Sequence, residues 1–250
     1  MGKVRNCLPK AWPKAWEAAA SANEYISLLD LIGSSGVDST VSLKLTHLGL
    51  DLSEDLALAN LERILEKAGS LGNFVRIDME SSAYTERTLS VFRAARERFA
   101  NVGVAIQSAL KMSRADVAEL IKERSSVRLV KGAYKEPPDI AFADKKDVDE
   151  SFAFLMEELL KKGVRPAIAT HDELLIERAK RTAEEAGILR RGVEFQMLLG
   201  IKRTLQKTLA REGYTVRVYV PYGANWLPYM LRRLRERREN LYFVVKNIFD

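Results

Sequence analysis

The sequence predicts an α/β protein, a (β/α)8 TIM-type barrel with a final helix over its C-terminal mouth, and three observations support that class. Short β-branched runs alternate with longer segments whose apolar residues have helical spacing. The runs are hydrophobic nearly throughout, as expected of parallel strands buried on both faces. The chain has 250 residues, a length at which such barrels commonly form one domain. We therefore expect a single barrel domain over residues 1–250, with residues 1–25 as a helical N-terminal extension.

Each element is predicted from its own apolar pattern. The strands are expected at Ile26–Ile32, Val41–Leu45, Phe74–Ile77, Val102–Ile106, Val127–Val130, Pro166–Ala169, Val193–Phe195 and Val216–Val220. The helices are expected at Ser53–Ala68, Tyr84–Phe99, Ser113–Lys122, Val148–Lys162, Glu173–Ala186 and Arg203–Glu212. Ser53 is a residue type that caps helix N-termini, and a short helix is expected after Pro13.

One connection does not fit the alternation. Only the eight residues Gly33–Thr40 separate the first two predicted strands, whereas a parallel crossover needs a dozen or more. Either these two strands are not joined by a helix, or the segment before Val41 is not the first strand of the barrel.

Composition excludes several classes of protein. The hydrophobic content of 47% rules out a disordered chain. The single cysteine, Cys7, excludes an internal disulfide, and two histidines make a multi-histidine metal site improbable, so no metal is expected. No transmembrane run and no secretory signal are expected. The net charge of +6 favours anionic partners without choosing among phosphorylated cofactors, nucleic acid and acidic lipid.

Polar side chains recur at the carboxyl ends of the predicted strands, where a barrel of this type has its active site. They are Lys44, Asp78, Glu80, Gln107, Arg128, Lys131, Tyr134, Thr170, His171, Asp172, Gln196, Arg217 and Tyr219. Any one of them alone is equally well explained by an internal salt bridge or a capping contact. Their recurrence on seven strands favours a shared ligand site, because buried charges need partners.

A second group of charges lies near the C-terminus, in Trp226–Glu236. On a helix Tyr229, Arg232, Arg233 and Glu236 share one face. Two adjacent guanidinium groups suit bidentate binding of a carboxylate. A solvated basic run is the simpler explanation from charge alone, and a nucleic-acid or acidic-membrane surface is a weaker third reading.

Motifs of other enzyme classes are missing from the sequence. It has no Gly-x-Gly-x-x-Gly fingerprint, no P-loop, no Gly-x-Ser-x-Gly elbow and no His-Glu-x-x-His motif. Nucleotide binding by those loops, and hydrolysis by those nucleophiles or metals, therefore have no support.

Eight ordered blocks between residues 42 and 250 resemble the catalytic barrel of the FAD-dependent proline dehydrogenase family, in an N-terminally reduced or engineered form. The blocks are SLKLTHLGL (42–50), VRIDME (75–80), VGVAIQS (102–108), VRLVKGAYKE (127–136), ATHDE (169–173), EFQMLLG (194–200), VYVPYG (218–223) and a C-terminal block that begins YMLRRLRER (229–237). Their number and order make the resemblance specific.

The resemblance implies oxidation of L-proline to Δ1-pyrroline-5-carboxylate, with hydride transfer to flavin N5 and electrons passed to a quinone. It implies catalytic roles for Lys44, Asp78, Arg128, Tyr219, Arg232 and Arg233, and substrate contacts from Lys44, Asp78, Tyr134, Leu198, Tyr219, Arg232 and Arg233. It implies that FAD is bound by Gln107, Arg128, Val130, Gly132, Ala133, Thr170, His171, Gln196 and Glu236. The expected location is cytoplasmic, and peripheral association with the inner membrane is left open. No nucleic-acid partner is expected.

Three positions depart from the family's pattern. Ala109 and Lys111 follow the glutamine block where the family usually has aromatic residues, and Leu199 stands where it usually has tyrosine. The alternative hypothesis is therefore a barrel scaffold of the same family that is catalytically impaired or inactive.

Overall fold

The computed structural model describes residues 11–222, and its internal contacts divide the chain after Ala105 into two compact units. The predicted final helix, with Arg232, Arg233 and Glu236, lies outside the described residues. Within residues 11–222 the structure has seven strands, each followed by a helix except the last.

The first unit alternates helices and strands from its first described residue. Its helices are α1 (Ala11–Ser35), α2 (Glu54–Ser70) and α3 (Thr85–Arg96), and its strands are β1 (Val41–Leu43), β2 (Val75–Ile77) and the first four residues of β3 (Val102–Gln107). The last two residues of β3, Ile106 and Gln107, belong to the second unit. Short 3-10 turns at Leu45–Leu48 and Ser82–Tyr84 follow β1 and β2. β1 pairs with β2 and β2 with β3, all in parallel, with Val41 opposite Val75 and Val75 opposite Val102.

The predicted strand Ile26–Ile32 is wrong, because these residues form the second half of α1. The buried residues of α1 are Ala18, Ala22 and Leu29, which recur at helical spacing, whereas Leu31 is 56% exposed. The helical extension therefore continues past residue 25 to Ser35. The difficulty at Gly33–Thr40 disappears, because Gly33–Ser35 end α1 and residues 36–40 form an ordinary loop between this helix and β1 rather than a crossover between strands.

Polar contacts hold α1 against α2. Lys67 forms an ion pair with Asp30 at 2.5 Å, and the Arg63 guanidinium donates a hydrogen bond to Asn23 at 2.7 Å. α2 begins where the sequence predicts, because the Ser53 side chain accepts a hydrogen bond from the Leu56 N–H at 3.1 Å.

The second unit continues the same alternation. Its helices are α4 (Ser113–Lys122), α5 (Lys145–Lys162), α6 (Glu173–Glu185) and α7 (Arg203–Arg211), and its strands are β4 (Ser126–Val130), β5 (Val164–Ala169), β6 (Glu194–Leu198) and β7 (Thr215–Tyr219). A short 3-10 turn at Arg190–Gly192 precedes β6. β4 pairs with β5, β5 with β6 and β6 with β7, all in parallel. The chain that leaves β3 also pairs with β4, since Ser108 N–H donates to the Val130 carbonyl at 2.8 Å.

The structure confirms an α/β fold of parallel strands with intervening helices. The six predicted helices and seven of the eight predicted strands are present, with ends displaced by three residues or fewer. Closure of eight strands into a barrel remains a prediction, as does the single domain. Among the described residues, no helix combines the length and the apolar character needed to cross a membrane.

Candidate active site

In the first unit, strand register places three charged side chains on one face. Ser42 lies opposite Arg76, and the Asp78 N–H donates to the Leu43 carbonyl at 2.8 Å, which continues the parallel pairing past the strand ends. Because side chains alternate along a strand, Arg76 and Asp78 share the face of Ser42 and Lys44. Lys44 and Asp78 therefore lie on one face, at the carboxyl ends of neighbouring strands.

Arg76 is a buried cation that the sequence reasoning missed. It is 5% exposed, its guanidinium donates to the Val104 carbonyl at 3.3 Å, and it lies 5.0 Å from the centre of the Phe74 ring. An arginine within a predicted buried strand was the available signal, because the cost of burying a charge requires partners.

The loops after β1 and β2 are tied together by Glu80. Its carboxylate accepts hydrogen bonds from the Thr46 N–H at 3.3 Å and the Thr46 hydroxyl at 2.9 Å. The next residue, His47, lies with its Nδ1 3.3 Å from the Tyr25 hydroxyl of α1. Burial and the nearby charge of Lys44 lower the pKa of His47. These contacts fix the short turn that directly follows Lys44.

In the second unit, the predicted residues again share one face. Arg128 lies opposite Ala167, which pairs with Glu194, and Leu198 lies opposite Tyr219. Counting by twos from these pairs, one face carries Arg128, Val130, Gln196, Leu198, Arg217 and Tyr219. The opposite face is apolar, with Leu129, Ile168 and Phe195 fully buried.

Arg128 is the most deeply placed charge on this face. It is 5% exposed, and its guanidinium carbon lies 5.7 Å from the centre of the Tyr219 ring. That distance is suitable for a cation–π contact. The structure thus brings together two of the residues predicted to be catalytic.

Gly132 follows β4 with a φ of +109°, a conformation that residues with a Cβ rarely adopt. A Cβ at this position would lie 2.8 Å from the Gln107 side-chain oxygen and 3.3 Å from the Ala109 Cβ. The glycine backbone therefore packs directly against the end of β3, where Gln107 is buried. Because Gln107 and Ala109 fill the space into which a side chain would project, this position requires a glycine.

The loop after β5 is fixed by two hydrogen bonds. His171 Nε2 accepts from the Leu198 N–H at 2.9 Å, so a neutral ring carries its proton on Nδ1. The Thr170 hydroxyl accepts from the Asp172 N–H at 3.1 Å. Ala133 and Tyr134 lie exposed in the loop after β4. In each unit, predicted site residues thus lie at or near the carboxyl ends of parallel strands, where α/β enzymes of the barrel type have their active sites.

Comparison with known proteins gives the family. The family model described as "Proline dehydrogenase" matches residues 6–246. Proline dehydrogenase 1 of Bacillus subtilis (strain 168) is 43% identical over 232 residues, which are 93% of this chain and 77% of that protein. The proline dehydrogenase of Deinococcus radiodurans is 42% identical over 91% of this chain and 75% of its own length. The chain therefore belongs to the proline dehydrogenase family.

The structural comparison agrees. A crystal structure of proline utilization A (PutA) from Bdellovibrio bacteriovorus, inactivated by N-propargylglycine, superposes with a TM-score of 0.81 and 26% identity. The match covers 88% of this chain but only 28% of that much longer one. The family membership predicted from the residue blocks is confirmed, and so is the expectation of an enzyme of the proline dehydrogenase class.

Proposed function

We propose that the chain oxidises L-proline to Δ1-pyrroline-5-carboxylate with FAD, and that a quinone is the final electron acceptor. The family match over residues 6–246 carries the proposal. In the reaction the ring carbon next to nitrogen loses a hydride, the nitrogen loses a proton, and a C=N bond forms. FAD, when bound, supplies the two-electron acceptor for that hydride at its N5 position.

The proposed FAD site consists of Gln107, Arg128, Val130, Gly132, Ala133, Thr170, His171 and Gln196, with Glu236 beyond the described residues. Its support is that four polar side chains are buried there: Gln107 and Thr170 at the carboxyl ends of β3 and β5, and Arg128 and Gln196 within β4 and β6. The backbone of Gly132 packs against one of them, Gln107. A cation at Arg128 would stabilise the negative charge that a flavin gains on reduction.

The proposed substrate site has cations for the proline carboxylate and apolar walls for the ring. Lys44, Arg232 and Arg233 would bind the carboxylate, and Asp78 would orient one of these cations. Tyr134, Leu198 and Tyr219 would line the ring. If proline binds with its nitrogen already deprotonated, no general base is needed, and these residues act by orientation and electrostatics.

The test is the visible absorption of the purified protein loaded with FAD. We expect L-proline to bleach the flavin band in the absence of oxygen, while D-proline at the same concentration leaves it largely unchanged. A protein that binds no flavin, or a flavin that L-proline does not reduce, would overturn the proposal.

Ala109 favours a second candidate, a scaffold of the same family that binds FAD without turnover. The Ala109 Cβ lies beside Gly132. At position 109 the family usually has an aromatic residue, which would cover more of the cofactor than alanine does. The same assay separates the two functions, because the scaffold would be yellow and would remain yellow with L-proline.

Arg232→Met separates binding of the substrate from binding of the cofactor. We expect KM for L-proline to rise roughly 30-fold or more, since losing one partner of a desolvated charged hydrogen bond costs about 2 kcal/mol or more. Flavin content, measured by absorbance after gel filtration, should not change. Loss of flavin with unchanged KM would assign Arg232 to the cofactor instead.

A further inference from the structure

Lys131 directly follows β4 and forms two ion pairs. Its Nζ lies 2.5 Å from a carboxylate oxygen of Asp149 on α5 and 3.0 Å from a carboxylate oxygen of Asp172 at the start of α6. The Lys131 side chain is only 17% exposed. Asp149 also forms an ion pair with Lys145 at 2.6 Å, and the Lys145 side chain is 80% exposed. The four side chains together have no net charge.

Lys131 is directed away from the face that carries the proposed cofactor site. Arg128 and Val130 lie on that face, so alternation puts Lys131 on the side of Leu129, which is covered by helices. Its partners agree, since both carboxylates belong to the helices α5 and α6. Of the explanations that the sequence left open for a single strand-end charge, an internal salt bridge is the one that holds for Lys131.

Asp172 connects this ion pair to the loop after β5. One of its carboxylate oxygens accepts from the Leu174 N–H at 3.1 Å and caps α6, while the other pairs with Lys131. Its own N–H donates to the Thr170 hydroxyl. Thr170 and His171, which immediately precede Asp172, belong to the proposed cofactor site. Any shift of Asp172 would therefore move both residues.

Electrostatics keep the network charged. Burial raises the pKa of Asp172, but the hydrogen bond and charge of Lys131, with the backbone N–H groups of α6, outweigh it and hold the pKa below its usual range. The pKa of Asp149 is likewise held below its usual range, by hydrogen bonds and charges from Lys131 and Lys145. Both carboxylates are ionised at neutral pH, so Lys131 has two negative partners.

We propose that Lys131 is a positioning residue that locks the loops after β4 and β5 to the starts of α5 and α6, and so holds Gly132, Thr170 and His171 in the geometry that binds FAD. The proposal rests on the proposed function. Lys131 acts from the helix side of the strands and does not itself contact the cofactor. A rigid outer layer of this kind preorganises a binding site.

The experiment compares Lys131→Met with Lys145→Met. The second variant is the matched control, because Lys145 is the other lysine that pairs with Asp149. Titration of flavin-free protein with FAD, followed by quenching of flavin fluorescence, should show affinity about tenfold weaker or more for Lys131→Met, as for other outer-layer partners. The visible circular dichroism of the bound flavin should change in the same variant. Lys145→Met should stay within about twofold of the original protein and keep its flavin spectrum.

Two further variants keep the test decisive. Asp172→Asn retains a capping oxygen for α6 but loses the ion pair, and we expect it to weaken FAD binding as Lys131→Met does. Lys131→Arg should restore most of the affinity. If Lys131→Met does not fold, Asp172→Asn alone decides. Unchanged affinity and spectrum in the folded variants, or equal losses in Lys131→Met and Lys145→Met, would overturn the proposal.

A separate readout distinguishes failure of this proposal from failure of the proposed function. Hydrogen exchange in the flavin-free protein should show faster exchange at Gly132 and Asp172 in Asp172→Asn and Lys131→Met than in Lys145→Met. If the original protein binds no FAD, the proposed function fails and the role of Lys131 in cofactor binding fails with it. Loop fixation by Lys131 is still decided by the exchange rates.

Discussion

At the scale of single residues, Gly132 shows how backbone conformation and packing can both demand one residue type. Its positive φ excludes most side chains, and Gln107 occupies the space into which a Cβ would project. Gly187 offers a comparison within the same unit, because its φ is +67° but nothing lies within 4 Å of an added Cβ. Gly187 lies in the left-handed helical region, whereas Gly132 lies outside it and also has steric overlap.

We expect Gly132→Ala to lower the free energy of unfolding by more than Gly187→Ala does. Gly187→Ala has the left-handed backbone cost of about 1–2 kcal/mol, whereas Gly132→Ala has a φ further from that region and must also displace Gln107. Urea titrations of both variants measure the difference, and FAD content should fall only in Gly132→Ala. Equal destabilisation would mean that the Gln107 contact relaxes without cost.

His47 makes stability depend on pH. Burial and the charge of Lys44 lower its pKa in the folded state, so the unfolded chain, with an ordinary pKa of about 6.5, takes up a proton first as pH falls. Stability from the neutral imidazole is therefore present above that value and is lost on acidification.

The corresponding variant is His47→Gln, which cannot titrate. Between about pH 7 and pH 5 it should lose less stability than the original protein, as measured by urea unfolding at each pH. Tyr25→Phe is the control, since it removes the hydroxyl near the ring and leaves the imidazole. A His47→Gln profile parallel to that of the original protein would argue against the buried neutral histidine.

At the scale of elements, helices could be predicted closely because the signals are local. Ser53, the acidic first turn and the apolar spacing of α2 all lie within one segment of sequence. Ile26–Ile32 shows the limit, since a seven-residue segment with five apolar residues fits a buried strand as well as part of a helix. Packing of Ala18, Ala22 and Leu29 in α1 decided between them.

Ser53→Ala should lower the free energy of unfolding by about 1 kcal/mol, the usual effect of losing a side-chain cap. The Leu56 N–H donates to the Ser53 hydroxyl at 3.1 Å, and the alanine variant leaves this N–H without its acceptor. Ser53→Asp supplies another capping oxygen and should stay close to the original stability in the same denaturant titration. If Ser53→Asp loses as much as Ser53→Ala, the hydroxyl acts through something other than capping.

At the scale of the whole molecule, cofactor binding should appear as stability. A ligand that binds only the folded state adds about 2.7 kcal/mol at a concentration 100 times its Kd. We expect Tm to rise with FAD concentration and to continue rising after the site is nearly saturated. Riboflavin, which lacks the phosphates and adenosine, is the matched control and should shift Tm less. A Tm independent of FAD would contradict the proposed cofactor.

The site could be predicted in part from the sequence, because strand ends and alternation are readable along the chain. Lys44, Asp78, Arg128 and Tyr219 were proposed in this way, and their roles stay predictions. Strand register places Lys44 and Asp78 on one face, and Arg128 and Tyr219 on one face. Arg76 was missed, since its partners are visible only in the folded protein. The contributions of Arg232, Arg233 and Glu236 stay predictions.

The sequence by itself determined the alternation of strands and helices, the family, and the presence at position 132 of a residue that can adopt a positive φ. Periodicity, ordered motifs and residue type are properties of local segments. Only the tertiary structure decided that Ile26–Ile32 is helical and that Lys131 faces Asp149 and Asp172 rather than the ligand side. The physical reason is that Asp149 and Asp172 are far from Lys131 in sequence, and only the packing of α5 and α6 against β4 and β5 brings the charges together.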